Sequence, residues 1–200
     1  VAVLWDLGGV LLDWDPRHLY RKLFGADQAA MDEFLAHVCS PEWHAQQDLG
    51  KATAEACAEL AAEHPGQAEM INAWAERNEE MVAGVISGSV EVLAELRAAG
   101  TACYALSNME KESFRRRLQL YDFLSWFDGC FISSFEGVMK PDPEYFERAL
   151  ARFGLSPGDC LFIDDRAQNI EVARSLGIPA VLFGSPEQLR ADLEGKGLLA

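Results

Sequence analysis

The chain has 200 residues, half of them hydrophobic and 24% charged, the balance of a folded domain rather than of a disordered tail. Seventeen Lys and Arg against 32 Asp and Glu leave a formal charge of −15, so the surface is expected to repel nucleic-acid backbones and anionic lipid. No apolar run approaches the ~20 residues that span a bilayer, and the opening VAVLWDLGGVLL, with Asp6 in its middle and no basic flank, does not read as a signal peptide.

Residues 1–7 are an apolar run ending in Asp-Leu-Gly-Gly, the pattern of a buried strand stopped by a glycine turn. From Pro16 to about Ala83 the period changes. Met31, Phe34, Leu35 and Val38 fall at helical spacing, as do Cys57, Leu60, Ala61 and His64 after a Thr53 cap. This stretch predicts four or five helices and no strand. Beyond Gly84, helices and strands alternate. Ser89 caps a helix that runs to Arg97 and stops at Gly100. Residues 101–106 form a strand followed by Ser107-Asn108, residues 111–120 a helix, and residues 130–133 a short strand. Asp142-Pro143 opens a helix with Phe146, Ala149, Leu150 and Phe153 on one face and Gly154 as its stop. Residues 160–163 form a strand ending at Asp164-Asp165, a helix follows to Leu176, and residues 179–183 make the last strand. Ser185-Pro186-Glu187-Gln188 then offers a capping-box start.

Five short apolar strands separated mostly by helices predict an α/β fold with a parallel sheet covered on both faces. The helical block is read as a cap, residues 14–86, inserted into a core made from residues 1–13 and 87–200. The five cysteines, Cys39, Cys57, Cys103, Cys130 and Cys160, form no CxxC pair and are odd in number. They are expected to be small core residues in a reducing cytoplasm, not zinc ligands.

Ligands of such sheets collect at the carboxyl ends of the strands. The predicted strands end there in residues suited to phosphate and metal chemistry: Asp6, Ser107-Asn108, Asp164-Asp165 and, after a short loop, Lys140-Pro141. A carboxylate such as Asp6 can attack phosphorus to give an aspartyl-phosphate. A Mg²⁺ ion shared between carboxylate and phosphate cancels the repulsion between the two anions. Asp6, Asp165 and the Gly8 carbonyl suffice as protein ligands, with Asp164 a direct or water-bridged partner. Lys140 supplies a fixed positive charge. The Ser107 hydroxyl and the amides around Asn108 bind the remaining phosphate oxygens.

The stretches DLGGVL (6–11), LSN (106–108), KPDPEYF (140–146) and FIDDRAQN (162–169) resemble motifs I to IV of the haloacid dehalogenase-like hydrolase superfamily, in order and across the whole chain. The resemblance implies a Rossmann-like core with an all-helical C1-type cap, Mg²⁺ dependence and an aspartyl enzyme intermediate. In that family Asp6 would be the nucleophile, Ser107 and Lys140 the phosphate binders, and Asp165 the metal ligand. The nearest subgroup, with a first motif reading Asp-Leu-Gly-(Gly/Asn)-Val, includes small sugar-phosphate phosphatases.

One position departs from that pattern. Most phosphatases of the superfamily carry a second Asp two residues after the nucleophile, where this chain has Gly8. A hydrogen side chain transfers no proton, and losing a general acid or base costs ~10²–10⁴-fold. Three readings stay open: another group serves, with Asp13, Asp15, His18 and His44 the candidates; the leaving group departs unprotonated, as from a sugar 1-phosphate or acyl phosphate; or the pocket binds phosphate without turnover. A 2-haloacid dehalogenase also needs no proton on its leaving group, but it needs no metal, and Asp164-Asp165 beside Asp6 invites one. In the cap segment SPEWHAQQDL (40–49), Trp43 is a candidate to stack on a sugar ring, and His44 or Asp48 to hydrogen-bond it. His18, His37 and His64 lie on helical patterns and read as surface or packing residues, and Arg115-Arg116-Arg117 as a solvated helix face. The expected partner is a small phosphorylated molecule, because a lidded pocket obstructs macromolecules.

Overall fold

The structure is a computed structural model that describes residues 1–199. In chain order the elements are β1 (Ala2–Trp5), β2 (Leu12–Trp14), α1 (Pro16–Phe24), α2 (Gln28–His37), α3 (Pro41–Asp48), α4 (Thr53–Glu63), α5 (Ala68–Glu76), β3 (Val82–Val85), α6 (Ser87–Ala98), β4 (Cys103–Ser107) and α7 (Lys111–Leu120). They continue with β5 (Gly129–Ile132), α8 (Ser133–Glu136), α9 (Pro143–Phe153), β6 (Cys160–Asp164), α10 (Ala167–Ser175), β7 (Ala180–Leu182) and α11 (Pro186–Gly195).

Five strands form one sheet in the order β5-β4-β1-β6-β7, and every neighbouring pair is parallel. Successive side chains of a strand point to opposite faces, and the core divides accordingly. Val3 and Trp5 of β1, Ala105 of β4 and Leu161 and Ile163 of β6 join Val92, Leu93 and Leu96 of α6 and Leu189 and Leu193 of α11 on one face. Leu4, Leu106 and Phe162 join Tyr145, Phe146 and Ala149 of α9 and Ile170 and Ala173 of α10 on the other. A sheet buried on both faces needs uninterrupted apolar strands, which is why these five were legible as runs. The helix starts follow from capping. Asp142 accepts from the Glu144 amide at 2.9 Å at the start of α9, and Ser185 accepts from the Gln188 amide at 3.2 Å at the start of α11.

The block between β2 and β3 is a helix-rich cap with its own core. Tyr20, Phe34, Trp43 and Trp74 are buried together with Met31, Cys57, Leu60, Ile71 and Met81. The Trp43 and Trp74 rings meet edge-on at 5.2 Å, and the Tyr20 hydroxyl donates to the Met70 carbonyl at 3.0 Å. A feature not predicted joins cap to core. β2 and β3 pair antiparallel, Leu12 with Val85, Asp13 with Gly84 and Trp14 with Val82, with a register irregularity at Asp13/Trp14. The chain therefore enters and leaves the cap through a two-stranded ribbon rather than through helix alone. Strands of three and four residues, with exposed Asp13 and a Gly84, carry no readable alternation. Cys39, Cys57, Cys103, Cys130 and Cys160 are free thiols, four of them buried.

Candidate active site

Parallel pairing puts all strand ends of one direction on one rim. Asp6 follows β1 directly, Ser107 closes β4 and Asp164 closes β6, so three sequence-distant residues arrive side by side. Lys140 comes from the loop before α9 and ties them together. Its buried ammonium lies 3.0 Å from Asp6 Oδ1, donates to Asp164 Oδ2 at 2.7 Å and donates to the Leu106 carbonyl at 2.9 Å. A lysine with three oxygen partners inside the protein is a fixed charge, since all three of its donors are used.

Each member of the cluster is held by its neighbours. Asp6 Oδ1 accepts from the Leu7 amide at 2.7 Å. Asp164 is fully buried; it accepts from the Arg166 amide at 2.8 Å and from Asn169 Nδ2 at 2.9 and 3.0 Å, in addition to Lys140. Both its oxygens are thus occupied by protein donors. Asn108 turns its side chain on the backbone of Lys140, donating to the Lys140 carbonyl at 2.8 Å and accepting from its amide at 2.9 Å. The Asn108 amide group is therefore a clamp on Lys140, and a phosphate contact from this residue is left to its backbone. Ser107 is buried at the cavity floor, and the Tyr145 hydroxyl donates to its carbonyl at 3.3 Å.

Asp165 is the exposed member of the acidic trio, and ligand oxygens of Asp6, Asp164 and Asp165 all fall within 4.8 Å of one another. Gly9 makes room for it. Gly9 has φ +75°, and a Cβ there would lie 2.6 Å from the Asp165 carboxyl carbon, so only glycine fits the place. Burial pushes the Asp6 carboxyl up to about 7, against the pull of Lys140 and with a further push from Asp164 and Asp165. Asp165 is raised too, by burial first and by Asp164 second. Lys140 is raised as well: burial disfavours its charge, yet Asp164 and Asp6 outweigh that and hold it above its ordinary value. Three carboxylates share one ammonium, so the trio is short of positive charge. An all-oxygen, carboxylate-rich donor set of this kind fits a hard divalent cation such as Mg²⁺.

Above this floor lies a cavity of about 600 Å³, in the usual range for small organic ligands. Asp6, Gly8, Gly9, Ser107, Lys140 and Asp165 form its base, and cap residues close over it. The residues expected to face substrate from the cap divide. Trp43 does not reach the cavity. Its ring is buried in the cap core, and its indole N–H donates to the Ala56 carbonyl at 3.4 Å. Trp14, Trp74 and His44 are the rings that line the cavity instead, with His44 stacked on Trp14 at 5.4 Å and 5.1 Å from Trp74. Asp48 also lines it, buried, with its Oδ1 lacking a hydrogen-bond partner.

Sequence reasoning missed further residues here. Arg117, taken for part of a solvated face, is buried against the cavity, with its guanidinium 3.4 Å from Asn78 Oδ1. Ser113 donates to the same Asn78 oxygen at 2.7 Å. Arg115 and Arg116 do sit on the outer face, near Glu112 and Glu79. Asn169, within the FIDDRAQN stretch, braces Asp164, a task its place in the sequence does not reveal.

A family model described as haloacid dehalogenase-like hydrolase matches residues 1–177. The chain belongs to that hydrolase family, and it is an enzyme of that class with a parallel-sheet core and a helical cap. It is similar to the sesquiterpene phosphatase astK of Aspergillus oryzae, 26% identical over 177 residues that cover 88% of this chain and 86% of that one. In fold it resembles the HAD family enzyme bt-2542 of Bacteroides thetaiotaomicron, with a TM-score of 0.72, 25% identity and coverage of 92% of this chain and 93% of that one. The same enzyme in complex with magnesium and inorganic phosphate superposes with a TM-score of 0.71 at 24% identity, covering 92% and 94% of the two chains.

Proposed function

We propose that the chain is a Mg²⁺-dependent phosphatase of a small phosphate monoester, working through an aspartyl-phosphate on Asp6. The observation that carries this reading is the Lys140 ammonium held between Asp6 and Asp164 at the base of a capped cavity that also holds Ser107 and Asp165. That arrangement puts a nucleophile and oxyanion-binding groups in one place. The relatives add support: astK is named as a phosphatase, and bt-2542 is known with magnesium and phosphate bound.

Asp6 presents a carboxylate oxygen to phosphorus. Lys140 pulls that carboxyl toward its ionised form, against the burial that raises it, and draws the phosphate in, while Asp164, Asn169 and Asn108 keep Lys140 in place. Ser107 offers a hydroxyl to a phosphate oxygen. Asp6, Asp165 and the Gly8 carbonyl would hold Mg²⁺, which when bound supplies the positive charge that the acidic trio lacks and offsets its repulsion of a phosphate. The cap excludes bulk water and selects the substrate body. Its cavity wall mixes the flat rings of Trp14 and Trp74 with the polar groups of Asp48, Asn78 and Ser113, a combination that suits a hydroxylated body such as a sugar phosphate. The division into a core of residues 1–13 and 87–200 and a cap of 14–86 belongs to the same proposal, as does a cytoplasmic setting.

A phosphatase screen over sugar, nucleotide and acid phosphates, with and without Mg²⁺, tests the proposal. Hydrolysis that requires Mg²⁺ and disappears in Asp6→Asn supports it. Chloroacetate turnover without metal, or tight phosphate binding with no hydrolysis even of p-nitrophenyl phosphate, contradicts it.

A further inference from the structure

We propose that His44, oriented by Asp48, is the proton-transfer group of this cavity; the inference rests on the phosphatase reading above. Expulsion of an alkoxide from a phosphate ester needs a proton, and hydrolysis of an aspartyl-phosphate needs a base. Gly8 provides neither. A Cβ built on Gly8 meets nothing nearer than Trp14 Cβ at 4.0 Å, so the cavity is open at that point. The ring of Trp14 is the surface on which the His44 imidazole stacks, with an interplanar angle of 19°. His44 lines the same cavity as Gly8 and Asp6, so its imidazole is offered to a substrate bound there.

The other candidates are spent or misplaced. Asp13 and His18 pair with each other at 3.0 Å, and neither lines the cavity. Asp15 does line it, but its carboxylate caps α1 by accepting from the Arg17 amide at 2.8 Å. His44 lies one helical turn before Asp48 on α3, with Nε2 3.7 Å from Asp48 Oδ1. That oxygen is buried and has no hydrogen-bond donor, so it is free to fix the ring's tautomer and orientation. Trp14 stacks on the ring and Trp74 packs against it at a tilt of 59°.

The steps balance. Asp6 Oδ attacks phosphorus, the bond from phosphorus to the ester oxygen breaks, and the protonated imidazole gives its proton to that oxygen, leaving neutral His44 and a free alcohol. Water then attacks the aspartyl-phosphate, its proton passes to His44, and phosphate and Asp6 are released. This assigns His44 the catalytic proton transfer, while Asp48 acts through it as a positioning residue.

The test uses substrates of rising leaving-group basicity: acetyl phosphate, p-nitrophenyl phosphate, phenyl phosphate and glycerol 2-phosphate. For His44→Gln, kcat/KM, which reports only the steps up to the aspartyl-phosphate, should fall ~10²–10³-fold on glycerol 2-phosphate and stay within about threefold on acetyl phosphate, whose leaving group needs no proton, while kcat falls on every substrate because the same imidazole is the base of the common hydrolysis step. Asp48→Asn should show the same pattern more weakly. Equal loss of kcat/KM on all four substrates, or no loss on any, overturns the proposal. Should His44→Gln not fold, the wild-type series decides. Proton donation keeps kcat/KM nearly flat along it, and a steady steep fall with leaving-group basicity overturns the proposal. Failure of the phosphatase reading itself looks different: the wild type hydrolyses none of the four, or Asp6→Asn hydrolyses them unimpaired.

Discussion

The floor and the roof of the cavity are built on opposite principles. On the floor, Lys140, Asp164, Asn108 and Asn169 have their polar atoms committed to one another at 2.7 to 3.0 Å, and they stand on a strand end, on the loops beside it or, for Asn169, on the first turn of α10. On the roof, Asp48 keeps a buried carboxylate oxygen without a hydrogen-bond partner, and rings rather than ion pairs make the wall. A preorganised floor costs no rearrangement at the moment of reaction. A roof with an unused acceptor has bonding capacity left, for His44 or for a ligand. On this account phosphoryl transfer belongs to the sheet, while the cap selects the substrate and, through His44, handles the proton.

Substitutions on the two sides should break this comparison in different ways. The largest effect is expected for Asp6→Asn. Removing the nucleophile should lower kcat by at least ~10⁴-fold, with the melting temperature unchanged or raised, because one member of a mutually repelling acidic trio has lost its charge. Activity and thermal scans on the same sample check both halves. Next comes Lys140→Met. It leaves two buried carboxylates without their cation and should cost ~3–5 kcal/mol in urea unfolding at neutral pH. Asp6 is the group to watch there. Its carboxyl is already raised to about 7, so loss of Lys140 raises it further. A raised folded-state carboxyl opposes folding once the group is ionised. The Lys140→Met penalty should therefore shrink as pH falls from 8 toward 5 and Asp6 takes up its proton.

Gly9→Ala should follow in size. The new methyl collides with the Asp165 carboxylate at a positive φ, so the Mg²⁺ concentration for half-maximal activity should rise ~10–100-fold, read by titrating the assay. On the roof, Trp14→Ala should raise KM several-fold with kcat within about threefold, the mark of lost substrate binding. The smallest effect is expected for Trp43→Phe. It gives up one buried hydrogen bond to Ala56, worth about 1 kcal/mol of stability, and should leave KM unchanged. A Trp43 effect on KM larger than that of Trp14 would reverse the assignment of the two rings.

Much of the floor was legible in the sequence, because buried parallel strands must be apolar throughout and the polar residue that ends each one stands out. Asp6, Ser107 and Asp164-Asp165 were found in that way, and Lys140 by the rigid Pro-Asp-Pro turn after it. The tasks of Asn108 and Asn169 were not legible, since a helix cap and a clamp on another residue's backbone use the same side chain. Arg117 sits among two other arginines on an amphipathic helix, and only packing shows that it turns inward while Arg115 and Arg116 turn out. Trp14 was hidden in a ribbon too short to show alternation, so the conspicuous Trp43 was taken for the substrate-facing ring. Roof residues come from loops and short helices whose mutual placement depends on the cap core, and a local pattern does not carry that information.

The central claim is that phosphorus is transferred to Asp6. Mixing the protein with Mg²⁺ and acetyl phosphate, quenching with acid, reducing with borohydride and mapping the peptides by mass spectrometry tests it directly. The account predicts reduction of one aspartyl side chain, at Asp6, absent in Asp6→Asn. Modification at Asp165 or Asp164 instead, or phosphate release at the wild-type rate with no trapped intermediate and an active Asp6→Asn, would contradict it.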